Sequence, residues 1–171
     1  EFHPVFSPDS STIAFTSYRP TNTKNGNIYL KELITFKEDL ITGEESVFGA
    51  IPTFSPDGKK LIFPMWSSNT DKKILEEDFY PDIYTFDLEK KKFSRLTNDI
   101  YEDWRPMFSP DGKKVVFISN RDGNFDINIM DSNGKKQKKL TSSKEDEWDP
   151  SFSPDGRQIV YASKIAGNWN I

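Results

Sequence analysis

An all-β fold is predicted for this chain of 171 residues. Three observations carry the prediction: an aromatic-rich, alanine-poor composition, a four-residue marker that recurs four times, and one order of apolar runs and turns after each marker. The chain holds 14 Phe, 6 Tyr and 4 Trp but only four Ala, a balance that suits pleated strands better than helices. Charged residues make up 29%, with a formal net charge of −4, so the Lys/Arg excess of a nucleic-acid-binding domain is missing. No apolar run approaches the ~20 residues of a membrane-spanning helix, so no spanning segment is expected. The absence of Cys excludes a disulfide framework, a thiolate nucleophile and Cys-based zinc sites. With one His, His3, a Ser/His/Asp triad would have to use that residue.

The marker is Phe-Ser-Pro-Asp, at Phe6 to Asp9, Phe54 to Asp57, Phe108 to Asp111 and Phe152 to Asp155, with spacings of 48, 54 and 44 between the Phe residues. Such a period belongs to stacked repeat architectures. A Pro stands two residues before each Phe (Pro4, Pro52, Pro106, Pro150), and Gly58, Gly112 and Gly156 close three of the markers, with Ser10 in the first. An apolar run follows each: Ile13-Ala14-Phe15, Leu61-Ile62-Phe63, Val115-Val116-Phe117-Ile118 and Ile159-Val160-Tyr161-Ala162. Next comes Asp or Asn before Ile, at Asn27, Asp82, Asp126 and Asn170, where the third strand of each repeat is expected to open, and three repeats close on Thr42, Thr97 and Thr141.

Each repeat is expected to form four short antiparallel strands. Pro-Asp-Gly is a tight turn, in which Pro presets φ and Gly takes the left-handed position; Ser10 there implies strain or another turn. The run after the turn is apolar on consecutive residues, as in a strand covered on both faces. A four-stranded sheet cannot bury both faces alone, and radial stacking of such sheets is a β-propeller. The prediction is therefore three complete four-stranded blades plus a partial fourth, at about 1–42, 43–97, 98–141 and 142–171. Propellers close with roughly four to eight blades. The chain is thus expected to belong to a larger propeller, or to complete a ring by self-association.

The run Trp104-Arg105-Pro106-Met107-Phe108-Ser109-Pro110-Asp111-Gly112-Lys113-Lys114, continued by Phe117, Ser119, Arg121-Asp122-Gly123, Asp126-Ile127 and Leu140-Thr141, resembles the TolB-type propeller repeat. The resemblance covers nearly the whole chain. It implies a non-catalytic scaffold that binds a protein or peptide partner, with envelope proteins among the candidates, in a periplasmic or otherwise extracytoplasmic bacterial setting. Similar propellers gate prolyl-oligopeptidase-like and tricorn-like peptidases, and others sense saccharides or small molecules; both remain as alternatives.

In propellers of this kind the first strand of each blade lines the central channel. The pairs before each Pro then lie near one mouth: Phe2-His3, Ala50-Ile51, Trp104-Arg105 and Trp148-Asp149. Upstream stand Glu102, Asp103, Glu145, Asp146 and Glu147. Trp rings, a guanidinium and carboxylates in one funnel suit capture of a peptide or a cation-bearing ligand. The binding candidates are His3, Trp104, Arg105, Trp148 and Asp149; Arg105 and Asp149 lead, because large Trp side chains serve packing first. Repeat two carries ten extra residues near 70–81, an insertion expected to be a loop, and Pro64 is expected to bulge its second strand. Asp122, Asn124, Asp126 and Asn128 alternate like calcium ligands, but Ile127 and Asn133 occupy the positions of the loop's Gly and Glu, so a hairpin explains them better. No Gly-x-Ser-x-Gly elbow or phosphate-binding Gly loop is present, and no cofactor is expected.

Overall fold

A computed structural model describes residues 2–18, 26–42, 50–66, 80–165 and 167–171. Blade one is β1 (Phe2–Phe6), β2 (Thr12–Ser17), β3 (Asn27–Glu32) and β4 (Glu38–Leu40). Blade two is β5 (Thr53–Phe54), β6 (Lys60–Met65), β7 (Asp82–Asp87) and β8 (Lys92–Arg95). Blade three is β9 (Asp103–Phe108), β10 (Lys114–Ser119), β11 (Asp126–Asp131) and β12 (Lys138–Lys139). Blade four has β13 (Glu147–Phe152), β14 (Ile159–Ile165) and β15 (Asn168–Asn170). Each sheet is antiparallel with its strands in chain order, and the first strands β1, β5, β9 and β13 neighbour one another along the series.

The consecutive apolar runs are explained by packing on both faces. In β6, Leu61, Phe63 and Met65 join Ala14 and Ile28 of blade one, whereas Ile62 turns to Phe108, Val115 and Phe117 of blade three. In β10, Val115 and Phe117 face blade two, while Val116 and Ile118 pack with Trp148, Phe152, Ile159 and Tyr161 of blade four. Phe63 and Phe117 are wholly buried, each worth about 1.5–3 kcal/mol of apolar burial. Among the described residues no core cluster joins blade four to blade one, and Phe6 and Val160, on the outward faces, are 63% and 50% exposed.

The four markers build one turn. In each, Ser Oγ donates to the Asp carboxylate at 2.6 Å, as Ser7 does to Asp9 and Ser109 to Asp111. The same Oγ accepts a backbone N–H at the start of the next strand, from Thr12, Lys60 and Lys114, or just before it, from Gln158. The turns stack from blade to blade: a Cβ on Gly156 would stand 3.4 Å from Pro110 Cδ. Ser10 adopts φ 58° and donates its N–H to Ser7 O as the glycines do, so the first hairpin keeps the common turn at a steric cost.

Two expectations are corrected. Pro64 makes no bulge: β6 pairs with β7 in unbroken register, Pro64 opposite Ile83. Lys60 exchanges hydrogen bonds with Ser55, so Pro64, four residues on, points its nitrogen to the β5 side, where pairing already ends at Ile62. The missing N–H has no ladder to break. The last strand begins two residues earlier than Asn170, because β14 runs on to Ile165 and pairs it with Asn168. The insertion of repeat two lies outside the described residues apart from Tyr80 and Pro81.

Candidate functional site

The channel-mouth candidates share a backbone feature. His3, Arg105 and Asp149 have φ of 54°, 53° and 52°, a left-handed conformation that side-chain-bearing residues seldom take. At each the pairing of the first strand with the second slips: between Phe2 and Val5, between Trp104 and Met107 opposite Val116–Ile118, and between Trp148 and Ser151. These are β-bulges, each ending at a Pro that has no N–H to offer the ladder. Such a conformation costs of order 1–3 kcal/mol and survives only where the surroundings over-determine it. Ile51, at the same place in blade two, is not left-handed, and β5 begins only at Thr53.

The bulges bring Arg105 and Asp149 together: Arg105 Nε lies 3.2 Å from Asp149 Oδ1, with side chains 35% and 63% exposed. His3 is exposed, two blades away, beside Phe2 at 6.4 Å between rings. Trp104 and Trp148 are half-buried and pack at the junction of blades three and four. Trp104 meets Trp66 edge-on at 5.1 Å, and Trp148 lies 4.9 Å from Phe125. Both indoles thus pack, with Trp104 Nε1 donating to Glu102 Oε2 at 3.0 Å.

The acidic residues upstream divide. Glu102 serves Trp104, and Asp146 Oδ1 accepts the N–H of Phe125 at 3.1 Å. Asp103 and Glu147, the first residues of β9 and β13, are buried. Their amides hold the preceding blade: Asp103 N donates to Pro81 O at 3.0 Å, and Glu147 N to Phe125 O at 2.7 Å. The Asp103 carboxylate converges with those of Asp82 and Asp99, all within 4.8 Å of one another. Arg121 Nη2 binds Asp103 Oδ1 at 3.2 Å and Asp99 Oδ2 at 3.4 Å, and Arg95 pairs with Asp82. Burial pushes the Asp103 carboxyl up to about 6; the Asp99 charge adds to that rise, and Ser119, Arg121 and Thr97 oppose it. Burial also raises Asp82, against Arg95 and Thr97. Composition and spacing gave no sign of this cluster, because its members come from one strand, one connection and the next strand.

The alternating series at 122–128 gathers around no common point. Asp122 and Asp126 close on Lys139 at 3.3 and 2.5 Å, while Asn124 Nδ2 donates to Glu145 O at 3.0 Å and Asn128 Nδ2 to Asp126 O at 3.0 Å. Asp131, at the end of β11, holds Lys114 of β10 and Lys136 of the turn before β12 at 2.6 and 3.2 Å.

Successive antiparallel sheets, three of four strands and one of three, stacked with their first strands adjacent, define a β-propeller blade series. The family model of the TolB beta propeller domain matches residues 2–171, and the chain belongs to that family. It is similar to TolB from Acinetobacter baumannii, at 31% identity and TM-score 0.75, over 98% of this chain and 38% of that one. A putative TolB from Agrobacterium tumefaciens matches at 26% identity and TM-score 0.76, over 96% of this chain and 55% of that one. The chain therefore spans about two fifths to just over half the length of these two relatives. An oligogalacturonate lyase from Vibrio parahaemolyticus shares the fold at 17% identity and TM-score 0.73, over 97% of this chain and 47% of that one.

Proposed function

We propose that the chain is a non-catalytic propeller scaffold that binds a protein or peptide segment at the mouth formed by His3, Trp104, Arg105, Trp148 and Asp149, in an extracytoplasmic setting. The single observation carrying this reading is the repeated left-handed residue before Pro. Strain kept at three equivalent positions, each bearing a polar side chain, supports a surface built for contact rather than for packing. The half-buried indoles beside it supply rigid apolar area, and the Arg105–Asp149 pair supplies charge of both signs. The family, with its TolB relatives, supports the scaffold role and the extracytoplasmic setting.

The test is capture from a bacterial envelope extract, followed by titration of each purified captured protein against the wild type and the Arg105→Ala/Asp149→Ala double variant. A loss of affinity of tenfold or more is expected. Equal affinity for both would overturn the mouth as the site, and a thermal shift with glycans but no protein partner would favour the saccharide-sensing alternative.

A further inference from the structure

The buried carboxylates at the junction of blades two and three have no part in the mouth contacts, yet they are placed where the two blades meet. Asp82 opens β7, Asp99 lies in the connection after β8, and Asp103 opens β9. Asp103 is fully buried, Asp82 nearly so, and their oxygens share one small space with those of Asp99. Two guanidiniums reach the cluster: Arg121 bridges Asp99 and Asp103, and Arg95 takes Asp82. Thr97 Oγ1 accepts the N–H of Ile83 at 2.9 Å and donates to Asp82 at 3.2 Å, and the same hydroxyl also lowers the Asp103 carboxyl.

The other charges near Asp103 lie outside this cluster. Along the same row of blade three, Ser119 pairs in register with both Asp103 and Asp126, and Asp126 is held with Asp122 by Lys139. From β13, Glu147 is buried at its own junction and Asp149 sits on Arg105. From β6 the one charge is Lys60, at the opposite end of the strand from Met65. Three carboxylates thus face two cations with no third cation at hand among the described residues.

We propose that the Asp82, Asp99 and Asp103 cluster is a proton-operated clamp between blades two and three. One proton, taken up from solvent by the cluster, removes the surplus negative charge and turns a carboxylate into a donor for its neighbour across the junction. Loss of that proton leaves one surplus negative charge shared by two buried carboxylates and the partly exposed Asp99, and loosens the junction. β9 carries the effect outward, because Asp103 directly precedes Trp104 and Arg105 at the mouth. The upward displacement of the Asp103 carboxyl to about 6 agrees with this geometry. The sign follows from linkage: a folded-state value above the ordinary 3.8 means that the native chain binds more protons than the unfolded one. Stability therefore rises as pH falls from about 7 through 6, and the gain is complete below about 4.

The experiment is thermal unfolding of the chain at about pH 7.5 and about pH 5.5, for the wild type, Asp103→Asn and His3→Gln. A wild-type midpoint higher by at least about 3 °C at the lower pH is expected, with the rise abolished in Asp103→Asn and intact in His3→Gln. No rise in the wild type, a rise undiminished in Asp103→Asn, or a rise lost in His3→Gln would overturn the proposal. Should Asp103→Asn fail to fold, carboxyl-carbon NMR titration of the wild type decides. A midpoint for Asp103 between about 5.5 and about 6.5 supports the clamp, and one below about 4.5 refutes it.

Discussion

Arg105 and Asp149 occupy the same place in consecutive blades and meet, Nε to Oδ1, at 3.2 Å. Each residue stands in a bulge with positive φ before a Pro, so the contact joins two copies of one local device. It links the first strands β9 and β13, where the binding surface is proposed.

Because both side chains are solvated, the pair's contribution to stability is small. A double-mutant cycle of Arg105→Ala and Asp149→Ala in urea is expected to give a coupling of about 0.2–1 kcal/mol, shrinking with salt. A coupling of several kcal/mol would show that the pair serves folding more than contact.

Ser10 is the one marker-turn residue that takes the glycine conformation without being glycine. Ser10→Gly is expected to raise stability by about 1 kcal/mol, and Gly112→Ala, at φ 70°, to lower it by about the same amount. Equilibrium unfolding in urea measures both.

The blade junctions are held by side chains of the second strands. Ile118→Ala should cost about 2–5 kcal/mol by leaving a cavity at the junction of blades three and four. Ile34→Ala, at a side chain that is 87% exposed, should change stability by less than about 0.5 kcal/mol.

The marker aspartates give the chain its acid limit. Hydrogen bonds from Ser hydroxyls and backbone amides hold Asp57, Asp111 and Asp155 below the usual carboxylate range, and hold Asp9 at about 2. A depressed folded-state value stabilises above the unfolded pKa of about 4 and is lost as pH falls through the folded value. Acid unfolding is therefore expected to set in below pH of about 4. Ser55→Ala, which removes the largest of the effects on Asp57, should move its onset to higher pH, measured by circular dichroism.

What could be read in advance was whatever lives in local geometry. Phe108-Ser109-Pro110-Asp111-Gly112 announces a turn because each residue type meets a backbone demand at its own position. Val115 to Ile118 announces a doubly covered strand because both faces are apolar. Arg105 and Asp149 were visible as polar residues before Pro, but their pairing was not: they stand 44 residues apart, and a bulge that re-aims a side chain leaves no trace in period-two alternation. Asp103 and Glu102 looked alike in a run of acids, yet one is buried at a blade junction and the other serves an indole. Pro64 misled because its residue type says nothing about which neighbouring strand its nitrogen faces.

The bulge before Pro4, Pro106 and Pro150 has a consequence for how such a chain can change. An imidazole, a guanidinium and a carboxylate stand on nearly the same backbone at His3, Arg105 and Asp149, with φ differing by no more than 2°. At these three positions one main-chain conformation carries three different polar side chains, whereas Ile51 at the fourth does not adopt it. The chemistry of the mouth can thus be rewritten one blade at a time, as letters are exchanged in a type-case, while the frame that holds them stays as it is.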